Sequence, residues 1–282
     1  MVVRDDVQWS RIDTVVGAAA DFQRQFDPGL GARVFVTGYN ERGYGMQIGY
    51  EGVYEWQARA EYVGVGSLRA FDYDSRLNSA EVNFLMDSPT IATWLAGFRY
   101  FEVDETLADF TSVDIPIPPP ASPPAAPAAF VETGSTYNVE NELFGFQIGA
   151  LRNDWRPARP LTIATFAKAG VYINRFERTD IDRTVTTVVS GDDLSTPDTN
   201  EFSRTTTEVG TFVEREYTKV AFVGEAGLSG VWRITPCLAL RGGYQVIVVD
   251  GVGQAIDSLF VNNLASDTLL YHGAQFGLEY RR

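Results

Sequence analysis

Residues 78–102 read NSAEVNFLMDSPTIATWLAGFRYFE, and this stretch decides the fold because its pattern predicts one β-hairpin. Two runs of alternating residues flank a turn at Asp87-Ser88-Pro89. The runs place on one side Ala80, Val82, Phe84 and Met86, then Ala92, Trp94, Ala96, Phe98 and Tyr100. Successive side chains of a strand point to opposite faces, so each arm has one apolar and one mainly polar face. The fold therefore depends on which face lies inside.

The same alternation continues far along the chain. From Tyr44 to Tyr62 the apolar residues occupy even positions, which favours one long strand over a tight hairpin at Glu51-Gly52. Further long runs cover residues 139–151, 161–174, 220–234 and 238–249. Strands of soluble sandwiches usually have about 5–6 residues, whereas membrane-spanning strands need roughly 9–11. Strand length therefore favours a membrane barrel over a sandwich.

The polar faces support the same interpretation. They combine glycines and amides with charges of both signs, a composition that suits a narrow lumen filled by paired ions. We predict an all-β fold, an antiparallel up-and-down transmembrane β-barrel of about 8–12 strands with long loops on one rim. The alternative that stays open is a soluble β-sandwich that acts as a binding or adhesion module.

The predicted organisation has one main domain. Residues 1–29 form an N-terminal segment, either helical or irregular, and residues 30–282 form a single barrel domain. Residues 116–127 contain seven of the 13 prolines and cannot enter a sheet interior, so we predict a Pro-rich loop over 111–137. A second, polar loop is predicted over 179–217, where two solvated strands are also compatible with the sequence.

Composition excludes several functions. A net charge of −14 argues against binding nucleic acid, whose phosphates require a basic surface. One His and one Cys exclude His-rich and Cys-based metal sites. The sequence also lacks a nucleophile elbow and the dinucleotide and Walker fingerprints. We therefore expect no enzymatic activity, no cofactor and no metal.

The best functional candidates are charged residues that the alternation assigns to the lumen. They are Glu55, Arg59, Glu61, Glu81, Arg99, Lys168, Glu225, Arg233, Arg241 and Glu279. These charges either line a pore or form a structural ion-pair plug, since small barrels have interiors that side chains can fill. Glu81 and Arg99 in particular are expected to form a buried ion pair.

Three segments resemble a known family. They are Asn78-Ser79-Ala80-Glu81-Val82-Asn83, the strand Leu95 to Tyr100 with its acidic continuation, and the ending His272 to Arg281. They are similar to the outer-membrane β-barrel porin family of Planctomycetes, the beta-barrel porin seven type. The resemblance extends loosely from about Leu30 to the end of the chain.

The resemblance implies a location and partners. It implies the outer membrane of a Gram-negative-type bacterium, with the lipid bilayer and the barrel-assembly machinery as partners and no assigned substrate. The implied protein is porin-like, a passive small-solute pore or a closed structural barrel of the cell envelope. The start MVVRDDVQWSRIDTVV lacks the basic and apolar regions of a secretory signal, so we expect a signal peptide to be missing from this chain.

Overall fold

The fold is built almost entirely from long antiparallel strands. The computed structural model describes residues 2–5, 29–88, 92–116, 128–158, 160–190, 203–259 and 267–281. Most of the predicted N-terminal segment 1–29 therefore lies outside the described residues. The strands are β1 Val2–Asp5, β2 Leu30–Tyr39, β3 Tyr44–Gly64, β4 Ser67–Asp87, β5 Thr93–Pro116, β6 Ala128–Ala158, β7 Leu161–Ser190, β8 Ser203–Arg233, β9 Leu238–Val252 and β10 Asp267–Tyr280.

These strands form one sheet in the order β1-β10-β9-β8-β7-β6-β5-β4-β3-β2. Every neighbouring pair is antiparallel, and from β2 to β10 each strand pairs with the next one along the chain. This is an up-and-down meander, so the predicted all-β architecture is confirmed. The ten strands also fall within the predicted range of 8–12.

The sheet curls so that side chains of strands far apart in the sheet order contact each other across the interior. Arg33 on β2 reaches Glu225 on β8 with 2.7 Å between Nη2 and Oε1. The Trp56 ring on β3 stacks on the Tyr271 ring on β10 with 5.0 Å between centroids. Among the described residues no ladder joins β2 to β1 or β10. The edges of the sheet are therefore not joined by backbone hydrogen bonds.

The hairpin of β4 and β5 settles which face lies inside. Its register pairs Glu81 with Arg99, and both side chains are buried on the concave face. The apolar side chains point away from the barrel, with Val82 47% and Phe98 72% exposed. An apolar surface directed outward is the reverse of a soluble sandwich and the arrangement of a membrane barrel.

An apolar band surrounds the outer face near the end of the barrel that carries the short turns at 40–43 and 234–237. Apart from Arg152 on β6, the outward side chains in the band carry no charge on the described strands from β2 to β10. Charges begin sharply where the band ends. Glu102 follows Tyr100 on β5, Glu142 precedes Phe144 on β6, and Asp250 follows Val248 on β9. Spanning barrels carry an apolar band about 25 Å tall, flanked by aromatic residues.

The strands at the opposite end are longer than the sequence pattern predicted. β5 continues to Pro116 and β6 begins at Ala128, so most of the predicted loop 111–137 is strand. β7 continues to Ser190 and β8 begins at Ser203, which likewise replaces most of the polar loop 179–217. These extensions lie in register without a shift, and their many Thr and Val residues favour extended backbone.

Candidate functional site

The barrel interior is the site toward which the sequence candidates converge. Six charges from six strands, five of them buried and Arg33 partly buried, form a polar layer at the height of the apolar band. The acidic members are Glu51 on β3, Glu81 on β4 and Glu225 on β8, and the basic members are Arg33 on β2, Arg99 on β5 and Lys168 on β7. Three negative and three positive charges balance, so the layer has no net charge.

Arg99 and Lys168 are the two cations most completely buried in this layer. Arg99 Nη1 lies 2.5 Å from Glu225 Oε2, and its Nε donates to Ser79 Oγ at 2.6 Å. Lys168 Nζ lies 2.7 Å from Glu81 Oε1 and 3.7 Å from Glu225 Oε2. The predicted neighbour of Arg99, Glu81, is farther away, with 3.9 Å between Nε and Oε2. Arg99 therefore bonds mainly across the lumen, to β8.

Amide side chains satisfy the remaining lone pairs of the polar layer. Gln147 Nε2 donates to Glu81 Oε2 at 2.9 Å and to Asn83 Oδ1 at 2.8 Å. Gln245 Nε2 donates to Glu51 Oε1 at 2.9 Å, and its own Oε1 accepts from Arg33. A buried charge is tolerated only when it is paired and hydrogen-bonded. Nearly every polar atom of this layer meets that requirement.

Sequence reasoning missed these amides and two of the charges. Arg33 and Glu51 are not among the candidates predicted from the sequence. Both nevertheless lie at odd positions, as the other inward residues of β2 and of the first half of β3 do. Two aromatic rings, Phe35 and Phe166, also cover the cations, with the Arg33 guanidinium carbon 4.6 Å from the Phe35 centroid. Cations over ring faces gain electrostatic attraction in a dry interior.

Two of the candidates on β3 do not face the interior. Arg59 and Glu61 point outward, with their side chains 65% and 49% exposed, and they bond to each other. The reason is a register shift between Val53 and Trp56, where β3 carries one more residue than β4 and the side-chain parity reverses. This corrects their predicted orientation. The described side chains do not include Glu55, which sits inside the shift.

The other candidates lie at the short-turn end. Arg241 Nη2 bonds to Glu279 Oε2 at 2.9 Å, and both side chains are partly exposed. Arg233 is exposed at the last position of β8, and its backbone N–H donates to the Pro160 carbonyl. These three charges form a rim and do not join the polar layer.

A second layer of large apolar side chains covers the polar layer on its long-loop side. The register shift brings Trp56 inward, where it is fully buried against Tyr271. Its neighbours in the same cluster are Leu77, Phe101, Val103, Leu143, Tyr172, Val223, Ile247, Val249 and Leu269. Side chains of eight strands, β3 to β10, meet in this one buried cluster.

The connection after β9 adds a third layer, because the chain folds inward there. Residues 251–257 are buried, and a short 3-10 helix follows at Ile256–Leu259. Ala255 and Ile256 pack into a cluster with inward side chains of β4, β5 and β6. The sequence signals are weak: Gly251 and Gly253 flank Val252, and two asparagines lie on inward positions of β6 and β7.

Those two asparagines bond to the inward segment as a strand would. Asn141 Nδ2 donates to the Gly253 carbonyl at 2.9 Å, and the Gly253 N–H donates to Asn141 Oδ1 at 2.8 Å. Asn174 Nδ2 donates to the Gly251 carbonyl at 3.1 Å. The Ala255 N–H donates to Glu105 Oε2 at 2.9 Å. Side chains of three strands thus satisfy backbone groups that no ladder reaches.

No group of three or more His, Cys, Asp or Glu side chains among the described residues is placed to hold a metal ion. His272 lies on the outer face of β10, where its ring bonds to the Tyr244 hydroxyl. Within the described part of the chain, no helix has the length and apolarity to cross a membrane.

Comparison with known proteins identifies the family. No curated protein matches this chain. A family model described as "Putative beta barrel porin-7" matches residues 32–270, which is most of the chain and extends from β2 into the first residues of β10. The match agrees with the curled antiparallel sheet and its apolar outer face. The chain therefore belongs to the beta barrel porin-7 family.

Proposed function

We propose that this protein is an outer-membrane barrel with a sealed interior, a closed structural barrel of the cell envelope. The observation that carries the proposal is the layered interior. A charge-balanced polar layer is covered by an apolar layer whose side chains, Trp56, Phe101 and Tyr172 among them, are at most 4% exposed. Barrels of this size have interiors that side chains can fill. A non-enzymatic role is consistent with the family description.

The apolar band supports the membrane location. Its strands supply the roughly 9–11 residues that a tilted spanning strand needs. Tyr39, Tyr44, Trp94, Trp232 and Tyr280 lie toward the short-turn edge of the band, and Tyr50, Tyr54 and Tyr100 toward the other edge. Aromatic girdles at both interfaces are the pattern of outer-membrane barrels. The bilayer is then the main partner, and the barrel-assembly machinery inserts the chain.

The extended strands give the closed barrel a second part. β6, β7 and β8 have 31, 30 and 31 residues, about three times what a bilayer requires. Beyond the band they continue for roughly 50 Å along the strand. Their outer face is acidic, with Asp104, Glu140, Glu177 and Glu216 directly opposite one another on four strands. We propose that the barrel anchors these strand extensions in the membrane and displays their acidic outer face in solution.

The family description favours a passive small-solute pore as the second candidate. Conductance across a planar bilayer separates the two functions. The refolded chain is first shown to insert, by heat-modifiable migration on unboiled gels. The sealed barrel then gives no stepwise openings at a protein load where an equal amount of a known porin gives many. Regular openings of one unit size from the unaltered chain would instead establish the pore.

A further inference from the structure

The connection after β9 has the properties of a movable part. Up to Asp250 its backbone lies in the ladder with β8, and from Gly253 onward it leaves the sheet and enters the barrel. Gly251 makes this bend possible. Its φ is +87°, and a Cβ there would lie 2.8 Å from the Val220 carbonyl oxygen. A residue with a side chain would be strained in that conformation.

Side chains and not ladders hold the segment inside. Asn141 forms two bonds with Gly253, while Asn174 and Glu105 each form one bond with the same segment. Asn174 also donates to Asn141 Oδ1 at 3.0 Å, which links the two amides. Segments held by few contacts open locally at lower free energy than the sheet around them. Outward movement of the segment therefore requires the loss of a few specific hydrogen bonds and leaves the ladders of the surrounding strands intact.

The inward position also has a cost. Gln254 is fully buried, yet neither its Oε1 nor its Nε2 has a hydrogen-bond partner in the described protein. Burial of an amide without partners is unfavourable, and exposure to solvent would relieve it. The apolar contacts of Ala255 and Ile256 act in the opposite direction, because they favour the inward position. The unpaired amide of Gln254 and the apolar contacts of Ala255 and Ile256 thus oppose each other. This opposition reduces the free-energy difference between the inward and outward positions of the segment.

We propose that residues 253–258, which follow the last paired residue of β9, Val252, are a latched plug at the long-loop end of the barrel. Asn141, Asn174 and Glu105 are the latch, and Gly251 is the hinge on which the plug turns outward. Release of the latch exposes the plug and the upper interior to solution while the strands stay paired. The plug adds a switchable closure above the fixed layers. The inference deepens the proposed sealed barrel but needs only the folded chain, with or without a membrane.

Cysteine labelling tests the latch. Cys237, the one cysteine of the chain, is first replaced by serine. Ala255→Cys then reports on the plug, and Val65→Cys in the exposed turn at the same end gives the reference rate. With the latch intact, a polar maleimide should label position 255 about a hundredfold more slowly than position 65. Equal rates at the two positions would contradict the inward plug.

Asn141→Leu removes both hydrogen bonds between Asn141 and Gly253, and it should raise the labelling rate at position 255 at least about tenfold. The matched control is Asn138→Leu on the same strand, because Asn138 bonds outward to Thr106 and does not contact the plug. Heat-modifiable migration must be unchanged in both variants. An unchanged rate in a folded Asn141→Leu protein would overturn the latch, whatever the conductance experiment gives.

Hydrogen exchange tests the plug without any substitution. The amides of Gly253 and Ala255 should exchange at least about tenfold faster than ladder amides of β8 and β9, and with little dependence on denaturant. That result signifies local opening of the plug. Exchange of both sets together, only through global unfolding, would show that the segment is a fixed part of the core. This measurement remains decisive even if Asn141→Leu fails to fold.

Discussion

At the residue scale, Arg99 is the side chain on which the polar layer depends most. It contacts carboxylates from three strands, Glu51, Glu81 and Glu225, and its side chain is 2% exposed. Removal of one partner from a buried ion network leaves the opposite charge uncompensated, which costs far more than loss of a surface pair. The energetic role of Arg99 is therefore to compensate the charge of three inward carboxylates and to hold them in place.

Arg99→Ala should lower the free energy of unfolding by about 3–5 kcal/mol, because Glu225 stays buried with fewer cations. Urea unfolding of the chain in lipid vesicles, followed by the gel-mobility shift, measures the change. Arg59→Ala is the control, since its pairs with Glu61 and Asp72 are solvent-exposed. It should change stability by about 0.5 kcal/mol or less. Similar losses in the two variants would contradict the buried layer.

Asp104, on the outer face beyond the apolar band, should make stability depend on pH. Burial, assisted by the Glu102 carboxylate and opposed by Arg76, raises the pKa of the Asp104 carboxyl to about 6. Glu140 faces it from β6. A raised pKa means that the folded chain binds the proton more tightly than the unfolded chain does. The contribution of Asp104 to stability should therefore fall as pH rises from about 4 to about 6.

Asp104→Asn should remove this part of the pH profile, because the amide does not titrate. The measurement compares urea midpoints of both proteins at pH 4, 5, 6 and 7. The difference between them should grow in favour of the variant as pH rises through the window. A difference that moves the other way would mean that the Arg76 ion pair dominates and lowers the pKa.

At the element scale, β3 shows what the alternation can and cannot predict. Its apolar parity runs unbroken from Tyr44 to Tyr62, and the single long strand that this favours is confirmed. One extra residue between Val53 and Trp56 still reverses which face lies inside. Because Trp, Ala and Tyr suit lipid and core equally, the sequence gives no sign of the shift. The inward position of Trp56 is instead stabilised by tertiary packing, through its stacking on Tyr271.

Trp56→Ala should therefore destabilise the barrel by about 3–5 kcal/mol, as expected for a large ring removed from a packed core. Trp94→Ala is the comparison, since that ring lies on the outer face of β5 and is 47% exposed. Its loss should cost about 1 kcal/mol or less. Urea unfolding in vesicles gives both values. Equal costs for the two rings would mean that the register shift does not bring Trp56 inside.

In the polar region 179–217 the prediction of a loop was wrong for most residues, whereas the alternative of two solvated strands is confirmed. Threonine, valine and charged residues at 179–190 and 203–217 look like solvated loop by composition. In the structure they are strands with both faces partly exposed, and each pairs along its full length with a neighbour. The plug was likewise invisible in the sequence. Its contacts join Asn141 to Gly253 across 112 positions, and no local pattern encodes such a pair.

At the scale of the whole molecule, the decisive feature is an inverted distribution of polarity. Apolar side chains cover the outside of a band, while ion pairs and amides fill the inside. The alternation in the sequence was sufficient to predict this barrel, and the curled ten-stranded sheet confirms it. Sequence could not predict which side chains meet in the interior. The polar layer joins charges of six strands in space, and strand periodicity contains no information on those distances.

The orientation of the band is tested most directly by fluorescence quenching in vesicles of brominated lipid. Two variants each keep one of the five tryptophans, Trp94 or Trp56, with the other four replaced by phenylalanine. Bromine on the acyl chains quenches only indole rings that touch lipid. We expect strong quenching of Trp94 and little quenching of Trp56. Equal quenching of the two rings, or none for Trp94, would contradict the inside-out barrel.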